Sequence, residues 1–114
     1  MTTFDTGRQA EAAVAQWLKS RDFKIIEHNW RTRWCEIDIV AEKSGAVYFV
    51  EVKYRVSSRQ GSGLEYVTSR KLEQMRFAAE AWVRAHAWCG DYQLAAAEVS
   101  GEDFRVTNFI DSVY

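Results

Sequence analysis

Residues Ala46 to Tyr54 read Ala-Val-Tyr-Phe-Val-Glu-Val-Lys-Tyr, a β-branched and aromatic run that suits a strand. Alternation puts Val47, Phe49, Glu51 and Lys53 on one face and Tyr48, Val50, Val52 and Tyr54 on the other. Large apolar groups on both faces mark a central strand covered from both sides. A carboxylate there is costly unless it is paired or holds a metal, so Glu51 requires an explanation. Lys53 follows two residues on, about 7 Å along the same face.

The segment just before repeats the anomaly. Cys35 to Ala41 reads as a strand in which Ile37 and Ile39 point one way and Glu36, Asp38 and Val40 the other. Glu42-Lys43-Ser44-Gly45 supplies a turn, so the two strands form a hairpin. In that hairpin Asp38 and Glu51 share a face at about 5–8 Å. A helix over residues 7–21 carries the apolar stripe Val14, Trp17 and Leu18, with Asp5 or Thr6 as its cap. Glu11 lies at the edge of this stripe, aimed toward the sheet.

Three converging carboxylates repel one another, and a divalent cation resolves the repulsion. All-oxygen ligands suit Mg²⁺ or Mn²⁺. Such a cation polarises a phosphoryl oxygen and acidifies a bound water, and a neighbouring lysine offsets developing negative charge. The constellation points to phosphodiester hydrolysis. The Glu51/Lys53 spacing alone is weak, because Asp22-Phe23-Lys24 has it too, at a helix-to-strand junction. On an edge strand such a pair is a solvated ion pair. The weight comes from Asp38 on the strand immediately ahead. Glu36 is either a fourth acid of the site or, the preferred reading, a surface acid or one standing behind the ligands.

The rest of the chain frames these elements. Phe23 to His28 reads as a first strand and residues 55–64 as a polar loop. A long helix runs from Thr68 to His86, with Leu72, Met75, Ala79, Trp82 and Val83 as its stripe. Tyr92–Val99 and Phe104–Ile110 are two last strands, split by Ser100-Gly101-Glu102-Asp103. The order α-β-β-β-α-β-β implies an α/β fold, a mixed central sheet flanked by helices, in one domain over residues 1–114. Two cysteines are too few for a disulfide framework, and no apolar run approaches a membrane span. A cytoplasmic protein with no membrane partner is expected.

At the acidic residues the chain resembles the YraN-like family of the PD-(D/E)XK nuclease superfamily, related to archaeal Holliday-junction resolvases. The motifs run from Gly7 to Lys71, and the resemblance continues more weakly to the C-terminus. The family's Gly-x-x-Gly-Glu appears as Gly7-Arg8-Gln9-Ala10-Glu11, its Asn-x-Arg as Asn29-Trp30-Arg31, and its Gly-Glu-Ile-Asp-Leu-Ile as Cys35-Glu36-Ile37-Asp38-Ile39-Val40. Phe-Val-Glu-Val-Lys-x-Arg is matched in full by Phe49-Val50-Glu51-Val52-Lys53-Tyr54-Arg55, and Val-x-x-x-Lys by Val67-Thr68-Ser69-Arg70-Lys71. The resemblance implies a restriction-endonuclease-like αβββαβ core. It implies Asp38, Glu51 and the Val52 backbone carbonyl as metal ligands, Lys53 as the catalytic lysine, and Glu11, directly or through water, as the acid completing the site. Lys71 matches a helix residue near the active-site face in a position to touch phosphate. The chain departs from the family at Ala10 and Cys35, where the pattern has glycine, and at Gln93-Leu94-Ala95, where it has Arg-Phe-Asp.

The net charge of −1 gives no global support for a nucleic-acid partner, so that argument is local. Between Lys53 and Arg76 stand six basic residues against only Glu65 and Glu73, a local excess of positive charge. Arg31, Arg33, Arg55, Arg59, Arg70 and Lys71 are the expected phosphate contacts. Trp30 and Trp34 offer either base stacking or core packing. The expected function is a metal-dependent DNA endonuclease selective for branched, flapped or junction DNA. A four-way junction needs two cuts, which a two-fold homodimer would supply. The alternatives are a nucleic-acid-binding module without turnover and a protein-interaction adaptor using the tryptophan-rich surface.

Overall fold

In a computed structural model, which describes residues 3–56 and 67–113, the chain runs α1 (Thr3–Ser20), β1 (Lys24–Arg31), β2 (Glu36–Lys43), β3 (Ala46–Arg55), α2 (Ser69–His86), β4 (Asp91–Ser100) and β5 (Arg105–Ile110). The element order is the one the sequence implies. The strands form one sheet in sequential order, antiparallel except for β3 and β4, which pair in parallel from Ala46↔Asp91 to Arg55↔Ser100. That parallel pair requires a crossover, and α2 supplies it. Of the loop expected over 55–64, residues 57–64 lie outside the described residues, Arg59 among them.

The β2–β3 hairpin closes on Ser44 and Gly45, with φ of 53° and 82°. Two consecutive positive φ values define the type I′ geometry that matches strand twist. Lys43↔Ala46 is the first pair, and the register continues to Ile39↔Val50. Helix α1 begins earlier than expected, so Asp5 lies within its first turn, where a negative charge suits the helix N-terminus, rather than capping it. Strand β1 runs past His28 to Arg31. It passes through a bulge between Ile25 and Glu27 and through Asn29 at φ 50°, a conformation that asparagine tolerates.

Each helix covers one face of the sheet. Val14 and Leu18 of α1 are fully buried against Ile39, Ala41, Val50, Ala95, Ala97 and Val99. Met75, Ala78, Ala79 and Trp82 of α2 pack on Val40, Val47, Phe49, Leu94 and Ala96. The expected alternation of β3 therefore holds for its apolar residues. The small side chains at Ala95, Ala96 and Ala97 leave room on both faces for a helix to approach β4. Trp82 also donates from Nε1 to Glu27 Oε1 at 3.0 Å, which ties α2 to β1, and stacks on His86 of its own helix.

The expected alternation of β2 also fails. Ile37 and Ile39 do not share a face: Ile39 packs under α1, whereas Ile37 joins the α2 cluster. The β2–β3 ladder stops at Ile39↔Val50, so Asp38 and Ile37 have no backbone partners on β3. Strand β2 turns away there, and strict alternation goes with it.

Leu18 has no exposed surface, and its truncation leaves a cavity between α1 and the sheet. Leu18→Ala is expected to lower unfolding free energy by about 2–5 kcal/mol in urea titration. A loss well under 1 kcal/mol would mean that α1 is not integral to this core.

Candidate functional site

Where the β2–β3 ladder ends, a side chain takes over. Asp38 Oδ2 accepts the Val52 amide at 2.8 Å. In a strand, the N–H and C=O of one residue point to the same edge, so the Val52 carbonyl faces the same gap. Asp38 and Glu51 both line a cavity of about 830 Å³ between the 32–36 turn and the N-terminal half of α2. Burial pushes the Asp38 carboxyl up from its ordinary 3.8 to about 7, and the charge of Glu51 adds to the rise. The Val52 hydrogen bond opposes the shift, and Glu11 and Glu36 raise it slightly further.

Glu11 stands apart from the lining of this cavity. It is hydrogen-bonded to Asn29, and burial raises its pKa above the ordinary 4.5. It reaches Asp38 as a field rather than as a contact. Among the described residues no group of three His, Cys, Asp or Glu side chains stands together as a ready metal cage. The donors nearest to a cation site are Asp38 and Glu51, which line one cavity and interact electrostatically, and the Val52 carbonyl on the strand edge that Asp38 bonds. Two carboxylates and a carbonyl, all oxygen, with several positions left to water, match the habit of Mg²⁺.

The expected basic residues separate into distinct environments. Lys71 Nζ lies 3.0 Å from Glu51 Oε2. Arg70 lines the cavity beside it. Arg31 lines the cavity too and pairs with Glu36 at 3.3 Å, both largely exposed, a pair of little energetic weight. Arg33 is exposed and sits 5.3 Å over the ring of Trp34. Lys53 is exposed on β3, with Glu98 of β4 as its strand neighbour. Arg55 differs from all of these. Its side chain is only 16% exposed, and Nε lies 2.6 Å from Glu98 Oε2, itself buried and also bonded by Thr107. Arg55 is held by the fold, in contrast to the free phosphate contact expected from its spacing.

The two tryptophans also divide. Trp30 packs partly buried against the α2 cluster, whereas Trp34 is 75% exposed at the cavity. Phe77 of α2, 51% exposed, lines the same cavity; sequence reasoning missed it because it lies off the apolar stripe. Cys35 accepts or donates a hydrogen bond at Thr32 Oγ1, 3.3 Å away, which helps fix the 32–35 turn. Glu98 was equally hidden, since nothing in Gln93 to Val99 distinguishes a buried acid from an exposed one.

Two tests follow from these environments. Between about pH 4 and pH 7 the native protein holds a proton on Asp38 that the unfolded chain has released, so stability falls as pH rises through that window. Asp38→Asn is therefore expected to gain on the order of 2–4 kcal/mol at pH 8 and much less at pH 5, read by urea denaturation. A loss at pH 8 would make the carboxylate a net stabilising group. Arg55→Ala, which strands a buried Glu98, is expected to cost about 3 kcal/mol. An unchanged melting temperature would return Arg55 to the solvent-facing set.

Residues 10–106 match the family described as Uncharacterised protein family UPF0102. A UPF0102 protein of Syntrophomonas wolfei is 41% identical over 81 residues, covering 71% of this chain and 70% of its own. One of Cytophaga hutchinsonii is 33% identical over 106 residues, covering 93% and 94%. One of Pseudomonas syringae is 33% identical over 117 aligned positions, covering 99% and 95%. The ordered motifs, the five-stranded mixed sheet between two helices and these matches agree that the chain belongs to UPF0102, the YraN family, a PD-(D/E)XK nuclease-like family.

Proposed function

We propose that the protein is a metal-dependent endonuclease that hydrolyses DNA phosphodiester bonds and prefers branched, flapped or junction DNA. The observation that carries this reading is the meeting of Asp38 and Glu51 on one cavity, at the gap where β2 leaves β3. Asp38, Glu51 and the Val52 carbonyl would hold Mg²⁺ or Mn²⁺. When bound, such a cation supplies Lewis-acid activation of a phosphoryl oxygen and of an attacking water.

The chain's own residues do the rest. Lys53, on the Glu51 face of β3, orients the attacking water or neutralises the negative charge that develops on the phosphoryl oxygen. Glu11, braced by Asn29, adds negative charge behind Asp38 and so favours a cation in front of it. Arg31 and Arg70 line the cavity, and Arg33 stands exposed in the adjoining turn, as contacts for neighbouring phosphates. Trp34 and Phe77 leave flat apolar surface open beside the acids, a feature that suits unpaired bases and supports selectivity for DNA with single-stranded character. With two ends of a junction to cut, a homodimer is the expected working form on four-way DNA.

The test is cleavage of labelled linear duplex, single strand, flap and four-way junction with Mg²⁺, Mn²⁺ or EDTA. Wild type is expected to cut only with metal, and to cut the branched substrates best. Lys53→Ala is expected to lose about 10²–10³-fold in rate while taking up metal as before. DNA binding without cleavage under any metal would favour the binding-module reading. An active Lys53→Ala protein would contradict the role given to that residue.

A further inference from the structure

Lys71 stands at Glu51 where a metal ligand would face its cation. Its Nζ lies 3.0 Å from Glu51 Oε2, with the two side chains 33% and 20% exposed. The helix fixes where this lysine starts. Thr68 caps α2, its Oγ1 accepting the Lys71 amide at 3.2 Å and its carbonyl accepting the Leu72 amide at 2.9 Å. The first turn of α2 carries Arg70 and Lys71 and no acid, although a helix N-terminus favours negative charge. These cations are thus placed against the field of their own helix. Both line the cavity that holds Asp38 and Glu51.

We propose that Lys71 is an exchangeable counter-ion, which neutralises Glu51 until a divalent cation takes that position and then turns to a phosphate of the bound strand. The inference rests on the reading of Asp38 and Glu51 as cation ligands. A divalent ion on Glu51 and an ammonium 3.0 Å from the same carboxylate repel each other, so one displaces the other. The lysine can leave without moving the helix, because its charge sits on a flexible four-carbon stem. In the cation-free protein the pair spares a half-buried carboxylate from standing uncompensated. After exchange, the freed ammonium lies beside Arg70 at the same cavity, available to a phosphate. Cation and nucleic acid then strengthen each other's binding, and by linkage the effect is reciprocal.

The test is Mn²⁺ titration of wild type, Lys71→Met and Lys71→Arg by calorimetry, with circular dichroism to confirm folding. Lys71→Met is expected to bind Mn²⁺ about 5–20-fold more tightly, having lost its internal competitor, while Lys71→Arg stays within about twofold of wild type. In a second arm, Ca²⁺ is expected to tighten binding of wild type to a four-way junction, and this gain is expected to shrink in Lys71→Met. Equal or weaker Mn²⁺ binding by Lys71→Met would overturn the proposal and make Lys71 a residue that orients Glu51. Failure of all three proteins to take up Mn²⁺ would sink the cation reading and the exchange with it. Mn²⁺ affinities in the expected order, without DNA binding, would uphold the exchange at Glu51 and contradict both its phosphate step and the nuclease reading.

Discussion

The Val52 amide donates to Asp38 Oδ2 at 2.8 Å, and this bond stands where a backbone rung between β2 and β3 would otherwise lie. A carboxylate accepting a main-chain amide satisfies the donor while letting the partner strand swing away. Once β2 leaves, Ile37 turns to the α2 side and the Val52 carbonyl faces the gap. The cavity lined by Asp38 and Glu51 opens at the same place, between the 32–36 turn and α2. The hairpin upstream of this point is regular from Lys43↔Ala46 to Ile39↔Val50, so the break is local.

The electrostatics of the break run against stability. Asp38 is partly buried near another carboxylate, and its pKa rises to about 7 because desolvation and like charge both disfavour the ionised form. Two basic residues open α2 against the helix dipole. Departures of this kind from the usual rules cluster where a protein binds or reacts. Elsewhere the charges conform: Glu98 is buried but paired with Arg55 and bonded by Thr107. Lys43 lies 5.0 Å over the ring of Phe23. The contrast sets the cavity, where function is proposed, apart from the Arg55–Glu98 pair, which the fold itself accounts for.

Much of this was legible in the sequence. The run from Ala46 to Arg55 is apolar on both faces except at Glu51, Lys53 and Arg55, and that pattern alone marks a central strand interrupted by charge. Helix α2 packs along the stripe its periodicity predicts, through Met75, Ala79 and Trp82. What escaped was whatever depends on departures from regular geometry. Strict alternation puts Ile37 with Ile39, and only the end of the ladder separates them. Spacing treats Arg55 like Arg70, although one meets a buried acid from β4 and the other a cavity. Glu11 lies on the helix its pattern implies, but its bond to Asn29 of β1 joins two elements distant in sequence, which spacing along the chain does not announce. Motif resemblance picks out Lys71 and the strand pattern picks out Glu51, whereas nothing in the sequence pairs the two.

The central claim is that Asp38, Glu51 and the Val52 carbonyl together form a hard-cation site. It is tested most directly by an anomalous difference map from crystals soaked in Mn²⁺. The account predicts a single strong peak between the two carboxylates, bonded also to the Val52 carbonyl, with Lys71 moved off Glu51. A map with no peak at this gap, and the Lys71–Glu51 pair intact, would contradict it.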